Sequence, residues 1–312
     1  MKATTLLLGA AGVATLLTPV ALYPQFAAEP AGQAAHTVAD AAQAEAAGYK
    51  ENAFERPAAG GPYPLTEWDE DGWTAPWSVG MDERTQVDAS TPAHSGDQSL
   101  RVLYPEGKVG PEESGAQAPF ALEAAPEYYV SMWIRFDEDF SWGTSEYAGK
   151  VGIGLAGGDW CSGGQTCDGT NGFSSRFIWR RADGEAALYY YHMDKQDTYG
   201  DHVSLEENGS VIHWPKGEWV NVVQRVKVNT VTGGQANHDG EIEVFYNGRS
   251  AAEVTGLRFV TNDDQVDTAY FDSFAGGATT EFAPRNDSYI WYDDIKVSTD
   301  PADICELDDG CA

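Results

Sequence analysis

Positive charge is scarce in this chain: 19 Lys and Arg stand against 49 Asp and Glu, a formal net charge of -30 over 312 residues. Nucleic acid is argued against as a partner, because phosphate backbones are held by clustered Lys and Arg. Such an excess fits an extracellular, salt-exposed protein, or simply one kept soluble by its charge. Long apolar runs are scarce too. The single one, Leu6 to Leu22, follows Lys2 and is interrupted by small residues, Thr and Pro19. A positive start and a short apolar core describe a secretory signal peptide over residues 1–28, with an uncleaved anchor as the alternative. No later stretch is long enough to cross a bilayer. Helical periodicity of 3.6 residues is missing after the signal region, and so is any internal repeat.

Cysteine is sparse: Cys161, Cys167, Cys305 and Cys311. Export favours disulfides, and of the three possible connectivities closeness favours Cys161–Cys167 with Cys305–Cys311. A zinc site is the rival, but the spacing is wrong and no His flanks either pair.

Aromatics, at 12%, and 34 glycines are plentiful, which suits many strands joined by tight turns. Residues 29–51 read as an Ala-rich linker, 52–300 as one domain and 301–312 as an acidic tail closed by a disulfide. Alternating segments predict strands at Ser99–Tyr104, Tyr128–Phe136, Ser174–Arg181, Ala187–Asp194, Trp219–Asn229, Glu241–Tyr246 and Tyr289–Ser298. Asn247-Gly248 and Asp183-Gly184 carry hairpin-turn signals. Many short strands with regular turns predict an all-β sandwich of two antiparallel sheets. In Trp219–Asn229, alternation sends Val220, Val222, Val226 and Val228 to the core. Trp219, Asn221, Arg225 and Lys227 face solvent or a groove.

The hairpin around Asp183-Gly184 carries the most chemistry. Ser174, Arg176, Ile178 and Arg180 share one face of its first strand, and Tyr189 and Tyr191 share a face of the second. A two-residue turn would set Arg176 opposite Tyr191 and Ile178 opposite Tyr189, joining these faces. Such a polar cluster is costly in a dry core and sensible in a groove. A lyase acting on uronic acids needs such a set. The sugar carboxylate must be neutralised, a base must take the C5 proton, and an acid must protonate the departing glycosidic oxygen. Arg176 suits the carboxylate. A tyrosine beside cations suits proton transfer, since positive charge favours phenolate. The plainer alternative is that both tyrosines are ordinary strand aromatics.

Four ordered signals, Gly96–Val102, Ser114–Gln117, Gly149–Leu155 and the hairpin, together resemble polysaccharide lyase family fourteen. That family includes alginate lyases and lyases of glucuronate polymers on a β-jelly-roll fold. The resemblance covers roughly residues 95–298 and implies a jelly roll with a concave substrate groove. It implies β-elimination on an anionic polysaccharide, with no cofactor required. Lys150, Ser174, Arg176, Tyr189 and Tyr191 match its motif residues. Arg176 and Lys150 are expected to hold the uronate carboxylate, and Tyr191, with Tyr189 as rival, to handle the protons. Gln117, Ser174, Arg180 and His192 are candidates for substrate contact. The chain departs from the family at Val151-Gly152-Ile153-Gly154, which bears on the backbone beside Lys150. The Gly157–Gly172 loop, tied by Cys161–Cys167, is expected to wall one end of the groove. It is no phosphate loop, lacking the Lys-Ser/Thr that would follow.

Two rivals stay open. A carbohydrate-binding module would use the same tyrosines and Arg176 without turnover. A glycoside hydrolase would need flanking carboxylates, of which only the alternating Glu241 and Glu243 suggest themselves. Asp293-Asp294 and the acidic tail Asp300–Asp309 suggest a structural calcium ion, or plain solvation. A secreted monomer without stable membrane association is expected.

Overall fold

The computed structural model describes residues 48–56, 60–304 and 306–307, except the side chains at 147 and 148. The signal peptide, most of the linker and the Cys305–Cys311 pair lie outside the described residues.

Two antiparallel sheets form a jelly-roll sandwich. The larger runs, edge to edge, Arg249–Leu257, Gly240–Tyr246, Trp219–Lys227, Glu127–Phe136, Ser288–Ser298, Ser99–Tyr104 and Thr85–Asp88. Lys50–Asn52 also pairs with Ser288–Ser298, so the folded region begins inside the stretch assigned to the linker. The smaller sheet runs Ala116–Ala125, Val266–Ser273, Tyr147–Gly157, Phe173–Arg180, Glu185–Tyr191 and Asp201–Ser204. Alternation builds the core between them. Val220, Val222, Val226 and Val228 meet Phe120, Ile153, Phe177 and Phe271 from the facing sheet in one buried cluster. Asn247-Gly248 does turn a two-residue hairpin, both residues at positive φ (47° and 79°), with Tyr246 opposite Arg249.

Two short helices, Leu65–Glu70 and Met81–Arg84, escape the periodicity test because neither is long enough to show a stripe. The first buries Trp68 against Phe54, Tyr63, Trp73, Phe120 and Phe271, closing one end of the core.

The outer face of the larger sheet bears on two expectations. The start of the presumed tail is packed: Ile304 is buried against Tyr129 and Val223, and Lys296 pairs with Glu306 at 3.1 Å. The presumed calcium carboxylates are already engaged. Asp293 accepts backbone N–H from His94 (2.9 Å), Ser95 (3.2 Å) and Asp294 (2.9 Å). Asp294 meets the His94 ring at 2.6 Å and accepts the Ser95 hydroxyl at 2.8 Å. Among the described residues no group of three or more His, Cys, Asp or Glu could hold a metal. Burial, then the neighbouring Asp294 charge, pushes the Asp293 carboxyl up to about 7. Because that value is raised above the unfolded one, Asp293's own contribution to stability falls as pH rises from about 4 to about 7. Asp293→Ala orphans buried N–H groups and is expected to cost about 2–4 kcal/mol, measured as a lowered denaturant midpoint at unchanged m-value.

Candidate active site

The smaller sheet's outer face carries the chemistry. Phe173, Ser175, Phe177 and Trp179 point to the core, which leaves Ser174, Arg176, Ile178 and Arg180 on the other side. The hairpin register differs from the expected one. Arg181–Gly184 form a four-residue turn, with Arg181 and Gly184 at positive φ (56° and 77°), and Arg180 faces Glu185. Arg176 therefore lies opposite Tyr189, and Ser174 opposite Tyr191. The slip is two residues, one full period of a strand, so every side chain keeps its face.

Lys150 is brought to the same face by an irregular neighbour. It pairs with Ile178, but Leu155 pairs with Ser175, so two extra residues bulge between Val151 and Leu155. The bulge is where the chain departs from the pattern of the family it resembles, and glycine makes it. Gly152 sits at φ 65°, and a Cβ there would lie 2.4 Å from the Met132 sulfur. A Cβ on Gly154 would lie 2.1 Å from the Ser175 carbonyl oxygen.

The groups then converge. The Lys150 ammonium lies 4.3 Å from the Tyr189 ring centre. The Arg176 guanidinium lies 5.5 Å from the Tyr189 ring and 5.6 Å from that of Tyr191. The two phenol oxygens are 3.1 Å apart. Backbone N–H groups donate to them, Gly200 to Tyr189 (3.1 Å) and Gly164 to Tyr191 (3.0 Å). Lys150 and Tyr189 are half-buried, whereas Tyr191 is only 1% exposed and packs against the disulfide. Tyr189, not Tyr191, is thus the phenol a substrate can touch.

Arg176 is not a free cation. It is buried, and its Nη1 donates to Asp272 at 2.7 Å. Burial would lower its pKa, but the Asp272 charge outweighs this and holds it above the usual guanidinium value. Lys150 makes no ion pair with a described residue. Burial first, then the Arg176 charge, pulls its ammonium from 10.5 down to about 7. Tyr189 moves the other way: burial, then Tyr191, raises it despite the Arg176 charge, against the direction expected for a phenol beside cations.

The remaining candidates separate. Gln117 is in place, its amide donating to the Tyr270 hydroxyl (2.9 Å) and to Asp272 (2.7 Å). Ser174 is fully buried; its hydroxyl donates to the Cys161 carbonyl (2.7 Å) and receives Arg176 Nη2 (3.3 Å). It anchors the loop instead of facing the groove. Arg180 is drawn off to Glu185 (2.8 Å) and Glu146 (2.9 Å) at the hairpin's turn. His192 is buried beside Tyr190, with Nε2 2.8 Å from Asp201. The strand ends at Tyr191, and alternation turns the next side chain away from the tyrosine pair. The disulfide Cys161–Cys167 is formed, and its loop does abut the site. Glu241 and Glu243 sit on the other sheet, with Arg225 at 3.0 and 3.8 Å, which removes the hydrolase pair from this face.

Sequence reading missed Tyr270, Asp272 and His202. His202 faces Tyr189 across the sheet, and burial followed by Arg180 lowers its pKa. Tyr270 and Asp272 share a face of Val266–Ser273, alternating with buried Ala269 and Phe271. That alternation was the available signal.

Among solved structures, alginate lyase Aly36B is 25% identical and superposes with a TM-score of 0.67, covering 80% of this chain and 96% of that one. The alginate lyase vAL-1 from Chlorella virus is 15% identical, with a TM-score of 0.60 and coverage of 80% and 100%. The alginate lyase from Aplysia kurodai is 20% identical, with a TM-score of 0.57 and coverage of 73% and 100%. No curated protein matches. Residues 92–295, which hold the bulge, both tyrosines and the Arg176–Asp272 pair, match the model for Polysaccharide lyase 14, and the chain belongs to that family.

Proposed function

We propose that this lyase is exported and cleaves a polyuronate, alginate or glucuronan, by β-elimination. The observation that carries the reading is the Lys150 amine lying 4.3 Å over the Tyr189 ring, both accessible on one sheet face. With a pKa of about 7, the lysine is partly the free amine at neutral pH, the state a general base requires. Tyr189 stays protonated, the state an acid requires. The Lys150 amine takes the C5 proton, the C5 electron pair forms the C4–C5 double bond, and the C4–O bond breaks. The departing glycosidic oxygen takes the proton of Tyr189, and Tyr191, 3.1 Å away, stabilises the phenolate left behind. Arg176, fixed by Asp272, and Gln117 supply the polar side against which the sugar carboxylate lies. Structures of Aly36B variants hold an alginate tetrasaccharide and trisaccharide, which supports an oligosaccharide in this fold's groove. The apolar run after Lys2 and the Cys161–Cys167 disulfide support export.

Incubation with alginate blocks and with glucuronan tests the reading. An unsaturated uronate absorbs ultraviolet light, and no rise in absorbance with any polyuronate refutes it, leaving a binder. A chain of net charge -30 should repel its substrate at low salt. Screening shortens that repulsion from about 8 Å at physiological salt to about 3 Å at 1 M. Activity is therefore expected to hold or rise over that range, measured as initial rate against added NaCl.

A further inference from the structure

Two tryptophans outside the core cluster pack around Tyr270, whose strand lies three strands from that of Tyr189. Trp77 and Trp160 are half-buried, with ring centres 6.2 Å apart, and both contact Tyr270, at 6.4 and 6.1 Å. Tyr270 joins them to the reaction centre: its hydroxyl receives the Gln117 amide at 2.9 Å, and its ring lies 5.9 Å from the Arg176 guanidinium.

Each indole is held in place. Trp160 adopts φ 54°, a left-handed conformation that is uncommon and strained for a bulky side chain. Its Nε1 donates to Thr268 Oγ1 at 2.9 Å, fixing the ring, and the next residue is the disulfide cysteine Cys161. Trp77 lies two residues before Val79, whose N–H and carbonyl bond those of Gln117 at 2.9 and 2.8 Å. A strained backbone that presents a large aromatic to solvent loses packing as well as conformational freedom, which no core role explains.

We infer that Trp77, Trp160 and Tyr270 form a distal sugar-stacking subsite, which binds pyranose rings of the polyuronate remote from the cleaved bond. The inference rests on the lyase reading. Pyranose C–H faces pack on aromatic rings without needing a cation, so this end of the groove can hold a sugar whose carboxylate points to solvent. The Tyr270 ring shares the Arg176 guanidinium with Tyr189, at 5.9 and 5.5 Å, and the indoles stand a further 6.4 and 6.1 Å from Tyr270, so they meet rings of a chain that extends past the sugars held at the centre. Long chains gain from it and short ones do not.

The test compares wild type with Trp77→Ala/Trp160→Ala and with Trp160→Phe, on long alginate and on a trisaccharide. The double variant is expected to lower kcat/KM on polymer about tenfold more than on trisaccharide, through KM, with Trp160→Phe intermediate. Equal effects on both substrates, or none on either with circular dichroism unchanged, would overturn the subsite. Affinity electrophoresis in alginate gels, in a Lys150→Ala background, reads polymer binding without turnover. Should wild type prove inactive on every polyuronate, the lyase reading fails, while retarded migration lost only in the tryptophan variant still upholds the platform, and unaltered migration rejects it.

Discussion

Replacing Lys150 by alanine is expected to lower kcat by about 10²- to 10⁴-fold, the range a general base contributes, without unfolding the domain. The side chain has no ion pair to orphan among the described residues, and burial already disfavours its charge. Removing it therefore relieves a cost in the fold while depriving C5 of its base. In the wild type, kcat/KM should rise with pH through about 7 as the ammonium loses its proton. The same lowered pKa has a second sign. Between about 7 and 10.5 the unfolded chain binds a proton at Lys150 that the folded chain does not, so its contribution to stability improves as pH rises through that window. Tyr189→Phe should cost far more activity than Tyr191→Phe, because Tyr189 is half-buried whereas Tyr191 is almost wholly covered. A pH profile whose acid limb stays far from 7, or a Lys150→Ala enzyme of near-normal kcat, defeats the assignment.

Arg176→Ala is expected to do more than stop catalysis. Asp272 is 1% exposed, and removing its cationic partner leaves a buried, uncompensated carboxylate, a loss of about 3–5 kcal/mol. On sequence alone this variant reads as a clean catalytic knockout; the ion pair makes it a folding variant. The double replacement Arg176→Met/Asp272→Leu removes both charges and should recover much of the stability while remaining inactive. Thermal midpoints of the two single variants and the double variant separate the effects. If Arg176→Ala melts with wild type, the pair is not holding the sheet.

The hairpin shows how much was legible. Alternation placed Ser174, Arg176, Tyr189 and Tyr191 on one face although the turn was misjudged by two residues, because an even slip preserves facing. The valine side of Trp219–Lys227 was legible for the same reason. Partners distant in sequence were not. Asp272 meets Arg176 only because Val266–Ser273 enters the smaller sheet between Ala116–Ala125 and Tyr147–Gly157, an order no local pattern encodes. His192 was misplaced for a local reason, since it follows the strand's last residue and falls to the opposite side. Arg180 was misread because its partner Glu146 lies in a loop whose path alternation does not describe.

The small ring closed by Cys161 and Cys167 touches more of this enzyme than its length suggests. One side of it presses on Tyr191, Gly164 within it supplies an N–H to that phenol, and Trp160 precedes its first cysteine. Thiol reduction would loosen the hydroxyl that supports Tyr189 and a sugar contact together, leaving the β-sandwich beneath intact. Protein made in a reducing cytosol can therefore look well folded by circular dichroism and still be a poor catalyst, with oxidative refolding restoring it.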